Sequence, residues 1–141
     1  MKFLLMLMVF LMPAILTNAG QTGCPSQIEV KQIPKEIDGW TTFDQAENGI
    51  HRFINVGFSD GPPQNKQLLA PDASIKRNKN TVLRYVFPAN EKMNVWLNCS
   101  YAGTSVVVAK PLPPTVLKCE VELDRNFGDS LATRVECVEK K

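Results

Sequence analysis

The residues with the most chemistry in this chain are four cysteines, one histidine and a short row of carboxylates. Cys24, Cys99, Cys119 and Cys137 all follow the apolar N-terminal stretch at 3–16. An even cysteine count in a short exported chain indicates a disulfide framework, here two bridges with three possible pairings. Zinc is a poor alternative, because no two cysteines have the close C-x₂₋₄-C spacing and His51 is remote from all four. Most nucleophilic triads need a histidine base. His51 is the sole candidate, and its place beside Arg52 in a β-type run reads as an ordinary strand histidine. Glu120, Glu122 and Asp124 share one parity, as a pair of glycosidase acids would require, but the exposed face of a half-buried strand has the same pattern. No glycine-rich phosphate loop leads from a strand into a helix. Asn98-Cys99-Ser100 matches a glycosylation sequon whose central cysteine is wanted for a bridge. The chain therefore offers no catalytic residues, no metal ligands and no cofactor motif.

The elements that carry the cysteines can be read from periodicity. Leu117, Cys119, Val121 and Leu123 alternate with Lys118, Glu120, Glu122 and Asp124, a period of two that marks a half-buried strand. Thr133, Val135 and Cys137 alternate in the same way, and Asn126-Phe127-Gly128-Asp129-Ser130 between the runs is rich in turn formers. Folding this hairpin about Gly128 sets Val121 against Val135 and Cys119 against Cys137, where directly opposed Cβ atoms are already close. A one-residue slip would break that register. Cys24 is then left to meet Cys99. In the chain-entropy model each bridge contributes roughly 3 to 4.5 kcal/mol, the longer loop more.

Upstream, 28–33 alternates and reads as a first strand ended by Pro34. Asp38-Gly39 turns into Trp40, and Thr41-Thr42-Phe43 is β-prone. In 49–58 the residues Ile50, Ile54, Val56 and Phe58 share one parity, and Ser59-Asp60-Gly61-Pro62-Pro63 stops the run. The stretch 64–80 is a long polar connection with room for a short strand. Residues 81–87 and 93–101 are strong strands. Val106-Val107-Val108 is continuous enough to predict burial on both sides. Pro111-Leu112-Pro113-Pro114 is a stiff connector into the final hairpin. About seven short strands and no long helix-period stretch indicate a single all-β domain, an antiparallel β-sandwich or small barrel with two disulfides.

The first residues are of another kind. Lys2, an apolar run of roughly 14 residues and a small-residue site at Thr17-Asn18-Ala19 have the layout of a secretory signal, and the run falls short of the ~20 a spanning helix needs. The expected division is a signal peptide at 1–19 and a disulfide-bonded β domain at 20–141, with no transmembrane segment after cleavage. Gly23-Cys24 resembles the end of a lipoprotein signal. Gln21, however, stands where a lipobox has a Leu-like residue, which argues against a lipid anchor at Cys24. Charge is near balance at 16 Lys+Arg to 14 Asp+Glu. That excludes the strong basic field a nucleic acid or anionic membrane partner requires. The local cluster Lys76-Arg77-Asn78-Lys79 reads as a solvated loop.

Three aromatics remain as candidate partner contacts: Trp40, Trp96 and Tyr101. Trp96 has the opposite parity from Val95, Leu97, Cys99 and Tyr101, so it is either covered by a second layer or exposed to a partner. Exposed aromatics anchor interfaces well.

Cys24-Pro25, Gly39-Trp40, Trp96-Leu97-Asn98-Cys99-Ser100-Tyr101 and Lys110-Pro111-Leu112-Pro113, followed by Cys119 and Cys137, resemble a family of small exported four-cysteine proteins of Gram-negative bacteria with no assigned activity. That resemblance implies a periplasmic address and the four-cysteine framework, and supplies no catalytic residues. A looser likeness, in the outline of 96–108, is to periplasmic inhibitors of c-type lysozyme. The expectation is a non-enzymatic periplasmic binding protein that inhibits or neutralises another protein, by lysozyme inhibition or by immunity to a toxin. The competing expectation is a structural or accessory component of the cell envelope.

Overall fold

The computed structural model describes residues 22–33, 35–39, 41, 49–88 and 92–140. The expected signal peptide at 1–19, Trp40 and the Thr42-Phe43 pair lie outside them. Eight strands are present among the described residues: β1 (Gln27–Glu29), β2 (Ile50–Asp60), β3 (Ala73–Arg77), β4 (Asn80–Val86), β5 (Val95–Tyr101), β6 (Val107–Pro111), β7 (Val116–Asp124) and β8 (Leu131–Glu139). They form two four-stranded antiparallel sheets, ordered β1-β2-β5-β6 and β3-β4-β7-β8. Two 3₁₀ turns of three residues each lie wholly within the described residues. The architecture is an all-β sandwich of two curved sheets over one core.

Alternation builds that core. Val95, Leu97, Cys99 and Tyr101 from β5 meet Cys119, Val121 and Leu123 from β7 in one buried cluster. Phe58 of β2 is the crossing point between sheets. Its ring lies 4.7 Å from Tyr85 and 5.6 Å from Phe87, centroid to centroid, with tilted and edge-on geometry that suits aromatic quadrupoles.

The last hairpin has the register that its alternation predicts, with Cys119 opposite Cys137 and Val121 opposite Val135. Asp124 caps the turn by accepting a hydrogen bond from the Asn126 amide at 2.8 Å. Gly128 then takes the left-handed conformation, φ 64°, that reverses the chain. Disulfides join Cys119 to Cys137 and Cys24 to Cys99. The second of these ties the segment before β1 to a central strand. Two further bonds hold the same segment: the Tyr101 hydroxyl donates to the Pro25 carbonyl at 3.1 Å, and the Phe53 amide donates to Ser26 O at 2.9 Å.

In three places the fold departs from the simple pattern. A bulge in β2 between Phe53 and Asn55 shifts the register against β5, and one extra residue exchanges the two faces of a strand. Ile50 and Ile54 are therefore exposed while Val56 and Phe58 are buried, and His51 is buried in their stead. Val106 and Val107 are exposed rather than covered on both sides, because β6 is an edge strand with a partner on β5 alone. The first strand is only three residues long, extended by one bond from the Val30 amide to Gly49 O at 2.8 Å, and is shorter than the alternation at 28–33 suggests.

The outer face of the second sheet is a charged lattice. Glu120 accepts from Arg84 Nε at 3.0 Å and from Arg77 at 3.2 Å, Asn80 donates to Glu122, and Arg134 pairs with Glu136. The aliphatic stems of these side chains cover Val82, which is buried although it lies on this face. The hydrogen bond from Arg84, aided by Arg77, holds the Glu120 carboxyl below the usual glutamate range. A lowered folded-state value means that the ionised form is favoured by folding. Its contribution is present above the unfolded value and disappears as pH falls through the folded one. We expect Glu120→Gln to cost less than about 1 kcal/mol at neutral pH, as exposed pairs do. Denaturant melts of the two proteins should converge below the carboxylate range; a gap that persists there would contradict this account.

Candidate partner-binding site

Strand β5 separates two roles. Its inward side chains, Val95, Leu97, Cys99 and Tyr101, belong to the core. Trp96, Asn98 and Ser100 point to the other side. Pairing sets them beside Ser59, Gly57 and Asn55 of β2, and beside Pro111, Ala109 and Val107 of β6. This outer face is built largely of small and polar residues, so the sheet surface is low along its middle.

The connection after β2 raises a wall beside it. Pro62 leads a 3₁₀ turn at Pro63–Asn65, which ends at Lys66 in the left-handed region, φ 56°. The chain then runs back along the free edge of β2. The Asp60 amide bonds Gln67 O at 3.0 Å, the Leu69 amide bonds Phe58 O at 2.9 Å, and Leu68 bridges to Ser59. Between this wall and β6 lies an open groove of about 480 Å³. Gly57, Asn98 and Ser100 line its floor, and Lys66, Leu68 and Val107 its sides. A Cβ built on Gly57 meets nothing within 4 Å. The glycine leaves space above the sheet that no other group fills.

Asn98 sits at the centre of this arrangement and is only 4% exposed. Its Nδ2 donates to Ser59 Oγ at 2.9 Å, and Ser59 in turn donates to Gly61 O at 2.8 Å. Its Oδ1 has no donor among the described residues, and neither does the Trp96 Nε1–H have an acceptor. A buried polar atom without a partner costs about 1–3 kcal/mol. His51 Nε2 and Thr81 Oγ1 are orphaned in the same way elsewhere, but those of Asn98 and Trp96 share one sheet face. The same burial, with Cys99 already bridged, leaves the Asn98 sequon no access for a glycan.

The candidate contacts separate accordingly. Trp96 is half-buried on the outer face, one residue pair along β5 from the groove floor. Tyr101 lies on the inner face, 2% exposed, with its ring 6.1 Å edge-on to Phe53. In the free domain it is a core residue that anchors Pro25 and presents no surface. Trp40 lies outside the described residues. All four cysteines are in disulfides. His51 is buried at the open end of the first sheet, with Nδ1 2.8 Å from the Ala102 carbonyl. Glu120 and Glu122 are engaged by Arg84, Arg77 and Asn80. None of the groove residues Gly57, Lys66, Leu68, Asn98, Ser100 and Val107 is among the contacts expected from sequence. A glycine inside a strand-like run was the available signal, since it often marks a close approach or an empty place.

Comparisons with known proteins bear on the whole sandwich. A relative from Azospirillum brasilense, described as an uncharacterized 16.3 kDa protein in the trpG 5' region, is 30% identical over 109 residues, covering 73% of this chain and 71% of the relative. No solved structure matches. The family model described as Type VI secretion system Tli immunity protein matches residues 45–138, a span that runs from before β2 into β8. The groove, its wall and three of the four cysteines fall inside that span, and this chain belongs to the Type VI secretion system Tli immunity protein family.

Proposed function

We propose that the chain is exported by its N-terminal signal to the periplasm, where the disulfide-bonded domain binds and neutralises a toxin delivered by a type VI secretion system. The observation that carries this reading is the family match across residues 45–138. Two bridges in a small sandwich suit an oxidising compartment. A rigid frame also loses little freedom on binding, which favours tight association. Of the two kinds of inhibitor that the sequence brings to mind, the family supports toxin immunity over lysozyme inhibition. Inhibition here is steric: the domain works by occupying a surface of the toxin and performs no chemistry on it.

The test is a competition assay against a sister strain with an active type VI system. Target cells lacking this gene should be killed, and cells carrying the full chain should survive. Cells carrying the chain without residues 2–19 should be killed like the deletion strain, because the protein then stays on the wrong side of the inner membrane. Equal survival with and without the gene would contradict immunity. Protection by the leaderless chain would contradict the periplasmic site of action.

A further inference from the structure

We infer that the toxin is held through the groove on the outer face of the β1-β2-β5-β6 sheet, by a segment that places an apolar side chain over Gly57 and a carboxylate beside Lys66. The inference rests on the immunity reading and adds to it the surface used and the chemistry of what binds there.

Three observations on that face point the same way. Its volume, about 480 Å³, lies within the range of ~300–1,000 Å³ typical of ligand pockets. Its sides are apolar and unsatisfied: Leu68 is 72% and Val107 42% exposed, flanking the open space above Gly57. Its charge is one-sided. Lys66 lines the groove, no acidic residue does so, and Lys66 has no ion pair among the described residues. The outer face of the other sheet is the reverse case, since Arg77, Arg84 and Arg134 already have Glu120 and Glu136 as partners. A toxin surface gains little from charges that are paired at home, and more from a lone cation at the lip of an apolar slot.

The experiment titrates the oxidised domain, by calorimetry, with each purified type VI effector of the same bacterium, prepared as an inactive variant. Gly57→Leu projects a side chain into the groove from a Cβ position that is open, and Gly57 has no positive φ to strain it. It should keep both disulfides and a wild-type melting curve while weakening binding by at least about 30-fold. Lys66→Glu should weaken it by about 10-fold at low salt and by less at high salt, where the attraction of the wild-type lysine is itself screened. Arg134→Ala, on the opposite sheet, should bind as the wild type does. Should Gly57→Leu fold poorly, Lys66→Glu decides. Wild-type binding that survives in both groove variants, or that is lost equally in Arg134→Ala, overturns the groove assignment and leaves immunity standing. A wild-type domain that binds none of the effectors overturns both.

Discussion

Removing the Cys24–Cys99 bridge by a double change to alanine is expected to cost about 4.5 kcal/mol, against about 3 kcal/mol for removal of Cys119–Cys137. The difference follows from the loops closed, with sequence separations of 75 and 18 residues. Crosslinking the longer loop removes more freedom from the unfolded chain. Location acts in the same direction. Cys24 and Cys99 are both buried in the core, whereas Cys137 lies exposed on the edge strand β8. Loss of the first bridge leaves the segment before β1 attached by little besides the Tyr101 hydroxyl, the Phe53 amide and a three-residue strand. Urea unfolding of the two double variants measures the contrast through their midpoints, provided the slopes stay equal. Mild reductant followed by thiol labelling should modify Cys137 and Cys119 before Cys24 and Cys99. A larger loss from the Cys119–Cys137 variant would contradict this division of labour.

Phe58→Ala is expected to destabilise the domain by about 3–5 kcal/mol. Phe58 is 1% exposed and is the side chain through which β2 reaches the second sheet, against Tyr85 and Phe87. Truncation leaves a cavity beneath two rings carried by β4 and the residue that follows it, and it also removes the tilted and edge-on aromatic contacts. Domains of this size have only about 5–15 kcal/mol in total. The variant should thus unfold well below the wild-type temperature and lose toxin protection with it. Phe127→Ala, on the exposed turn of the last hairpin, should stay within about 0.5 kcal/mol. Similar melting temperatures for the two variants would show that Phe58 does not hold the sheets together.

Much of this fold can be read from alternation, and the exceptions have local causes. The run from Leu117 to Asp124 alternates cleanly because β7 is central and covered on one face, so pairing Cys119 with Cys137 needs only the turn at Gly128. The run through β2 misleads because a bulge is an insertion in a ladder and has no composition of its own. Counting by twos from Ile50 therefore puts the wrong isoleucines inside. Val106-Val107-Val108 looks buried because valine suits any strand, and nothing in the triplet says that β6 lies at an edge. Val82 shows the converse: its parity is that of the charged face, and it is buried by the stems of arginines and glutamates that come from three other strands.

The groove was less legible than the fold. It is assembled from Gly57, Asn98, Ser100 and Val107 on three strands, with Lys66 and Leu68 brought over by a connection that reads only as polar loop. Trp96 was picked out by parity and does lie on the groove's sheet face. Tyr101 was picked out by its type and is spent on the core. Side-chain type alone did not separate them; the side of β5 did.

Immunity requires that this domain bind a type VI toxin and block it. The most direct measurement is a titration of the oxidised domain against the purified effectors of its own bacterium, followed by a toxicity assay of the resulting complex. One effector should bind at one-to-one stoichiometry with submicromolar affinity, and should show no toxicity once saturated. Absence of binding to every effector, or a saturated complex that remains fully toxic, would contradict immunity.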